Sequence, residues 1–295
     1  MLERLVLGTA QLGMPYGISN KTGQPDQAMS TAIIRKAWEC GIQEFDTAQG
    51  YGVSEAFLGK AFSDLGISNE VRVVSKFNPD LDHLNPLRMS LALDESLKRL
   101  GLSYLFGIML HREELLSLWN KGLSKILYSF VFSGKVKYLG VSVYSPAKAI
   151  EALETEGIDF VQLPTNILDR RFEEAGVFEL AYKKNKKVYI RSVFLQGLIL
   201  LPLKEIPDEA AQARPIIKQL ELWCRSFGVT RQEVALGFVK SEMPHSKIIF
   251  GADVPWHVEQ NAELWKRDFS SALIELLKKN FKNVNEKILM PNLWS

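Results

Sequence analysis

Eight short apolar runs, each followed by a stretch with helical spacing, set the strongest limit on how this chain folds. The runs are 5–8, 42–46, 71–76, 104–110, 136–141, 160–163, 188–191 and 247–251. Between them, Met29, Ile33, Ala37 and Cys40 recur at helical spacing, and 54–65, 87–100, 146–154 and 178–184 read as helices. Two further helical stretches, around 212–227 and 230–240, precede the last run. Gly41 and Gly101 stand where helices stop. Strands that alternate with helices pair in parallel, because each crossover returns the chain to the same end of the sheet. The runs are apolar without alternation, as expected for strands covered on both faces. Eight such units in 295 residues fill an α/β closed barrel of the (β/α)8 (TIM) type, with one domain over 1–295. The longest unpatterned stretch, 198–211 with Pro202 and Pro207, is expected to be a loop at the site.

Composition removes several classes of function. The net charge of +2 gives no electrostatic case for nucleic acid or a membrane surface. No apolar run reaches the roughly 18 residues of a membrane span, and the start of the chain does not read as a signal peptide. Cys40 and Cys224 are far apart on helical stretches and read as reduced thiols of a cytoplasmic protein. The four histidines lack paired metal-ligand spacing. Gly50-Tyr51-Gly52 starts like a dinucleotide fingerprint, but Glu55 takes the place of its third glycine. Gly59-Lys60 lacks the remaining residues of a phosphate loop. The lysines at 183, 184, 186 and 187 read as a solvated helix end.

Chemistry in such a barrel belongs at the C-terminal face of the strands. Asp46 ends the second strand with Tyr51 just beyond it, Lys76 ends the third, and His111 follows the fourth. Each has an ordinary structural reading: a turn cap, a half-buried ring, a solvated strand end, a satisfied core histidine. Together, at one mouth, they suit carbonyl reduction, in which a hydride reaches carbon and an acid protonates oxygen. A tyrosine with pKa near ~10 needs help as an acid, and a nearby ammonium lowers that value. Lys76 is placed to do so, with Asp46 holding it and His111 orienting the carbonyl oxygen.

The chain resembles the aldo-keto reductases over nearly its whole length. The resemblance rests on Leu7-Gly8-Thr9-Ala10, on Phe45-Asp46-Thr47-Ala48-Gln49-Gly50-Tyr51-Gly52 with Ser54-Glu55, on Ser75-Lys76 and Leu110-His111, and on the run from Gly134 to Ser142. It implies a catalytic tetrad of Asp46, Tyr51, Lys76 and His111. It also implies an extended nicotinamide cofactor, usually NADPH, with NADH left open. Gly8, Thr9, Ala10 and Asp46 would line that cofactor's site. Ser142 and Gln162 would hold the carboxamide, with Val143 where the family often has asparagine, and Asn166 beyond. Arg191 stands where an aromatic commonly stacks on the nicotinamide, and a guanidinium plane can also stack. Val193, Phe194 and Gln196 would also touch the cofactor, and Gly197 and Leu198 fit the loop that crosses the pyrophosphate. At the adenosine end the equivalents are Gly251, Ala252, His257, Gln260 and Asn261, so the family's usual cations are replaced there. The backbone N–H groups of Gly251 and Ala252, with His257 and nearby Lys247, are the candidates for binding a phosphate there. The expected substrate is a small carbonyl compound, sugar-derived by resemblance, with Tyr16, Phe77 and Trp119 as candidate pocket aromatics. Two alternatives remain at this level: a cofactor-holding regulatory protein with little turnover, and a cofactor-independent lyase or epimerase using Lys76 and Tyr51.

Overall fold

The computed structural model describes residues 2–294. Its eight strands are β1 (Leu5–Gly8), β2 (Glu44–Asp46), β3 (Arg72–Lys76), β4 (Leu105–Leu110), β5 (Val136–Ser142), β6 (Phe160–Pro164), β7 (Lys187–Arg191) and β8 (Lys247–Phe250). They form one closed barrel in sequence order. Every pairing is parallel, and β1 closes against β8 with Leu5 opposite Ile248 and Leu7 opposite Phe250. Strand ends differ by a residue or two from the sequence reading; β2 begins at Glu44, because Ile42 packs into the outer core before the strand starts.

Alternation along each strand sorts side chains between two cores. Val6, Val74, Met109, Phe160, Tyr189 and Ile249 come from six strands and pack together inside the barrel. Their neighbours, such as Leu5, Leu7, Phe45 and Val73, join the larger cluster between strands and helices. The interior is tight around Phe160. A β-carbon at Gly140 would sit 2.4 Å from its ring, and one at Gly107 would sit 3.1 Å away.

The lower rim is sealed with polar groups. Glu44, buried at the start of β2, accepts from the Tyr189 hydroxyl at 2.5 Å and from Lys247 Nζ at 2.9 Å. Arg4 donates to the carbonyls of Lys240, Met243 and Ser246, tying the chain's start to the segment before β8. These contacts correct the expectation for Lys247. It opens β8, and its strand carries it to the face opposite the one where phosphate was expected.

The stretch 198–211 is also not an open loop. It coils into short 3-10 turns at Leu203–Glu205 and Asp208–Ala213, and buries Leu198, Ile199 and Ile206. Of this stretch, Leu200 alone lines the cleft described below, among the described residues. Among the described residues, no helix is long and apolar enough to cross a membrane, and both cysteines are free.

Candidate active site

The segment between β2 and the Ser54–Leu65 helix is held rigid by its own polar side chains. Thr9 Oγ1 donates to the Asp46 carbonyl at 2.8 Å, and Ser54 Oγ donates to the Thr9 carbonyl at 3.0 Å. Gln49 Nε2 donates to the Ala92 carbonyl, and Gln49 Oε1 accepts from Asn78 N–H, both at 2.9 Å. Glu55, buried at the start of that helix, accepts from Ser75, Ser96 and Arg99. Gly13 allows the closest approach: a β-carbon there would lie 1.8 Å from the Tyr51 carbonyl oxygen. Tyr51 is therefore presented by a turn whose neighbours are all fixed.

Beneath Tyr51 lies a buried ion pair. Lys76 Nζ donates to both carboxylate oxygens of Asp46 at 2.8 Å and to the Thr47 carbonyl at 3.0 Å. Gln162 Nε2 donates to Asp46 Oδ1 at 2.6 Å. With its three donors engaged, the ammonium makes no hydrogen bond to the phenol. It sits 4.9 Å from the centre of the Tyr51 ring instead. Burial and then Asp46 push the Tyr51 pKa above its ordinary value, with Arg191 opposing. The expected acidification by Lys76 thus gives way to desolvation, and the phenol is held protonated. Burial also lowers the Lys76 pKa, against the pull of Asp46.

His111 meets Tyr51 edge to face, ring centres 5.8 Å apart. Its pKa falls to about 3, through burial first and then the charges of Lys76, Arg191 and Arg112. The ring is therefore neutral at physiological pH. In the folded chain it takes up a proton only near about pH 3, whereas the unfolded chain does so near 6.5. The stability tied to this group is present above 6.5 and is lost as pH falls towards 3. Urea unfolding of His111→Asn at pH 7 and pH 4 should show a smaller acid loss than the parent. Equal losses in both would contradict this placement.

The cleft above Tyr51 encloses about 390 Å³ and runs from the ends of β1, β2 and β7 to the helix after β8. It brings together most of the residues expected from sequence. Gly8, Thr9 and Ala10 form one edge, Asp46 and Gln162 the floor, and Gly251, His257, Gln260 and Asn261 the far end. Arg191, Val193, Phe194, Gln196 and Gly197 form the opposite edge. Ser142 is buried beside Gln162 in the β5–β6 register and does not reach the cleft surface. Asn166 donates to the Ser192 carbonyl and accepts from the N–H groups of Leu168 and Asp169, so it shapes the turn behind the cleft. Phe77 and Trp119 are core residues, packed against Phe130 and Tyr128 respectively. Tyr16 does line the cleft.

Other lining residues were not singled out in the sequence: Gln11, Ser19, Gln232, Asp253 and Trp256. Gln11 carried a usable signal, since it directly follows Gly8-Thr9-Ala10. Its amide lies where a β-carbon on Gly251 would be, 2.1 Å from Nε2, so Gly251 makes room for it. Ser192, Leu195 and Gln196 adopt positive φ angles of 61°, 48° and 53°, and Gly197 one of 94°. Such backbone is costly for non-glycine residues and clusters at ligand sites. It is fixed here by Ile18 N–H, which donates to the Gln196 carbonyl at 3.0 Å.

Glycine-lined edges, a strained turn and a floor of Asp46 and Gln162 make an elongated cradle that fits a dinucleotide. Among the described residues no cluster could hold a metal ion.

The family model described as the Aldo/keto reductase family matches residues 4–280. Over 94% of this chain and 94% of its own length, the NADH-specific methylglyoxal reductase of Escherichia coli is 26% identical. The L-glyceraldehyde 3-phosphate reductase of the same species is 24% identical over 79% of this chain and 77% of its own. A crystal structure assigned to the aldo-keto reductases, from Pseudomonas aeruginosa, superposes with a TM-score of 0.66 at 21% identity, covering 89% of each chain.

Proposed function

The chain belongs to the aldo/keto reductase family, and on that premise we propose that it reduces a small, sugar-derived aldehyde or ketone with NADH, Tyr51 supplying the proton. The observation that carries this reading is the position of Tyr51: its protonated phenol lines the cleft, over the buried Lys76–Asp46 pair and edge-on to neutral His111. A nicotinamide held in this cleft would supply the hydride for the carbonyl carbon. Tyr51 then gives its proton to the carbonyl oxygen. As the phenol loses that proton, the ammonium 4.9 Å from its ring stabilises the charge that develops. Asp46 and Gln162 keep the ammonium in place. An imidazole N–H of His111 orients the carbonyl oxygen and carries no competing proton chemistry at neutral pH. The regulatory alternative is not favoured, since the four side chains lie together and the long matches are to proteins named as reductases or a dehydrogenase.

Family habit points to NADPH, but the adenosine end of the cleft supports NADH. Arg191 is the one lysine or arginine among the described lining residues, and it lies at the Tyr51 end. The far end presents Asp253 and His257. Burial lowers the His257 pKa, so that ring is neutral at physiological pH. A 2′-phosphate would find no cation there, whereas a ribose hydroxyl can donate to the Asp253 carboxyl, as acidic residues do in other NAD sites. Two unpaired thiols suit a cytoplasmic setting.

Trp256, exposed on the cleft wall, reports binding directly. Titration of the nucleotide-free protein should show NADH binding tighter than NADPH by roughly 10- to 100-fold, a charge-assisted hydrogen bond's worth of preference. Tighter NADPH binding would reverse the cofactor assignment. Binding of neither would remove the reductase reading.

A further inference from the structure

Arg191 ends β7 and lines the cleft together with Tyr51 and Tyr16. Its guanidinium carbon lies 4.2 Å from the centre of the Tyr144 ring, so one face of its plane is covered by an aromatic. Its edges are treated unequally. Nη1 reaches Ser192 Oγ at 3.5 Å, while Nη2 is buried and has no hydrogen-bond partner. Among the described residues, no carboxylate forms an ion pair with it. Asp46, the acid beneath Tyr51, is engaged by Lys76 and Gln162. A buried guanidinium N–H without an acceptor is costly to keep, and such orphans mark positions completed by something the protein itself does not supply. His111 does not line the cleft, but its Nδ1, on the ring that meets Tyr51 edge to face, is unpartnered as well.

We infer that Arg191 receives an anionic group, a carboxylate or a phosphate, carried by the carbonyl substrate, and so selects anionic aldehydes or ketones over neutral ones. This rests on the reductase reading above and names the class of substrate it would take. The planar fork of arginine suits both anions, and its stacking on Tyr144 removes conformational freedom that would otherwise be lost on binding. A phosphate of the cofactor offers the same chemistry. The location favours the substrate: the charge of Arg191 acts on Tyr16, Tyr51, Lys76 and His111, all at the carbonyl end. It does not figure among the charges acting on Asp253 or His257 at the other end.

The experiment compares succinic semialdehyde with butanal, an anionic and a neutral aldehyde of equal carbon count, in the parent, Arg191→Met and Arg191→Lys proteins. It also measures malonate binding calorimetrically, with and without NADH. The parent should prefer the anionic aldehyde in kcat/KM by about 10- to 100-fold. Arg191→Met should bring that ratio close to one, and Arg191→Lys should retain part of it. Malonate affinity should fall about 10-fold or more in Arg191→Met. An unchanged ratio together with unchanged malonate affinity overturns the inference. So does an unchanged ratio with NADH binding weakened about 10-fold or more, which would give the anion to the cofactor. If neither aldehyde is reduced but malonate binding depends on Arg191, the anion site stands and the reductase reading falls.

Discussion

Tyr51→Phe should lower kcat/KM for carbonyl reduction by roughly 10³- to 10⁴-fold, at the upper end of what a positioned acid contributes. The substitution removes one oxygen from a ring whose surroundings do not depend on it. The backbone of Tyr51 is held by its N–H, which donates to the Ala48 carbonyl, by its carbonyl, which accepts from Ser54 N–H, and by the close approach of Gly13, while the ring itself contacts His111 edge to face. Nucleotide affinity, read from Trp256, should therefore stay within about threefold of the parent, because the substitution leaves the backbone and ring contacts of Tyr51 in place. Weakened nucleotide binding in equal measure would mean that the phenol holds the cofactor rather than the proton. A variant that kept most of its turnover would remove Tyr51 from the chemistry altogether.

Asp46→Asn should destabilise the protein by about 3–5 kcal/mol, since it leaves a fully buried ammonium without its counter-charge. The asparagine oxygen can still accept from Gln162, so the loss belongs to the charge and not to that amide. Adding Lys76→Met removes the stranded ammonium and should recover most of the lost stability. The two substitutions are thus expected to be strongly non-additive. Simple addition of the two losses in urea unfolding would show that the pair is screened by water and the site wetter than described. Activity should not return in the double variant, because the phenolate would form without a cation beneath it.

The placement of the proposed catalytic residues was legible because three of the four depend only on where strands end. Once eight apolar runs are found, Asp46, Lys76 and His111 fall at one rim without knowledge of any loop. The errors follow from geometry of a single strand. Lys247 lies four residues before Gly251, and at about 3.3 Å per residue that distance crosses the barrel from one face to the other. Phe77 directly follows Lys76, and one residue is enough to turn a side chain from the cleft to the outer core. Ser19, Asp253 and Trp256 were out of reach for another reason. They sit on connections whose path is fixed by distant pairings, such as Ile18 with Gln196, and no local pattern encodes those. The reversed expectation for the Tyr51 pKa has a third origin. Proximity of lysine was readable, but the fact that Asp46 and the Thr47 carbonyl consume all its donors was not.

Closure of the barrel by β1 against β8 also constrains how the molecule comes into being. The partners of Leu5, Val6 and Leu7 on that side are Ile248, Ile249 and Phe250. During synthesis the first strand therefore waits, with one apolar edge unpaired, until nearly the whole chain has emerged. The residues that complete the cleft beyond β8, from Gly251 to Asn261, arrive at the same moment. Contacts so distant in sequence make folding slow, and an open strand edge invites pairing with another chain meanwhile. Nascent copies of this protein should thus depend on chaperones or dilution until the ring shuts, and premature termination anywhere before β8 should yield aggregate in place of a smaller, partly active barrel.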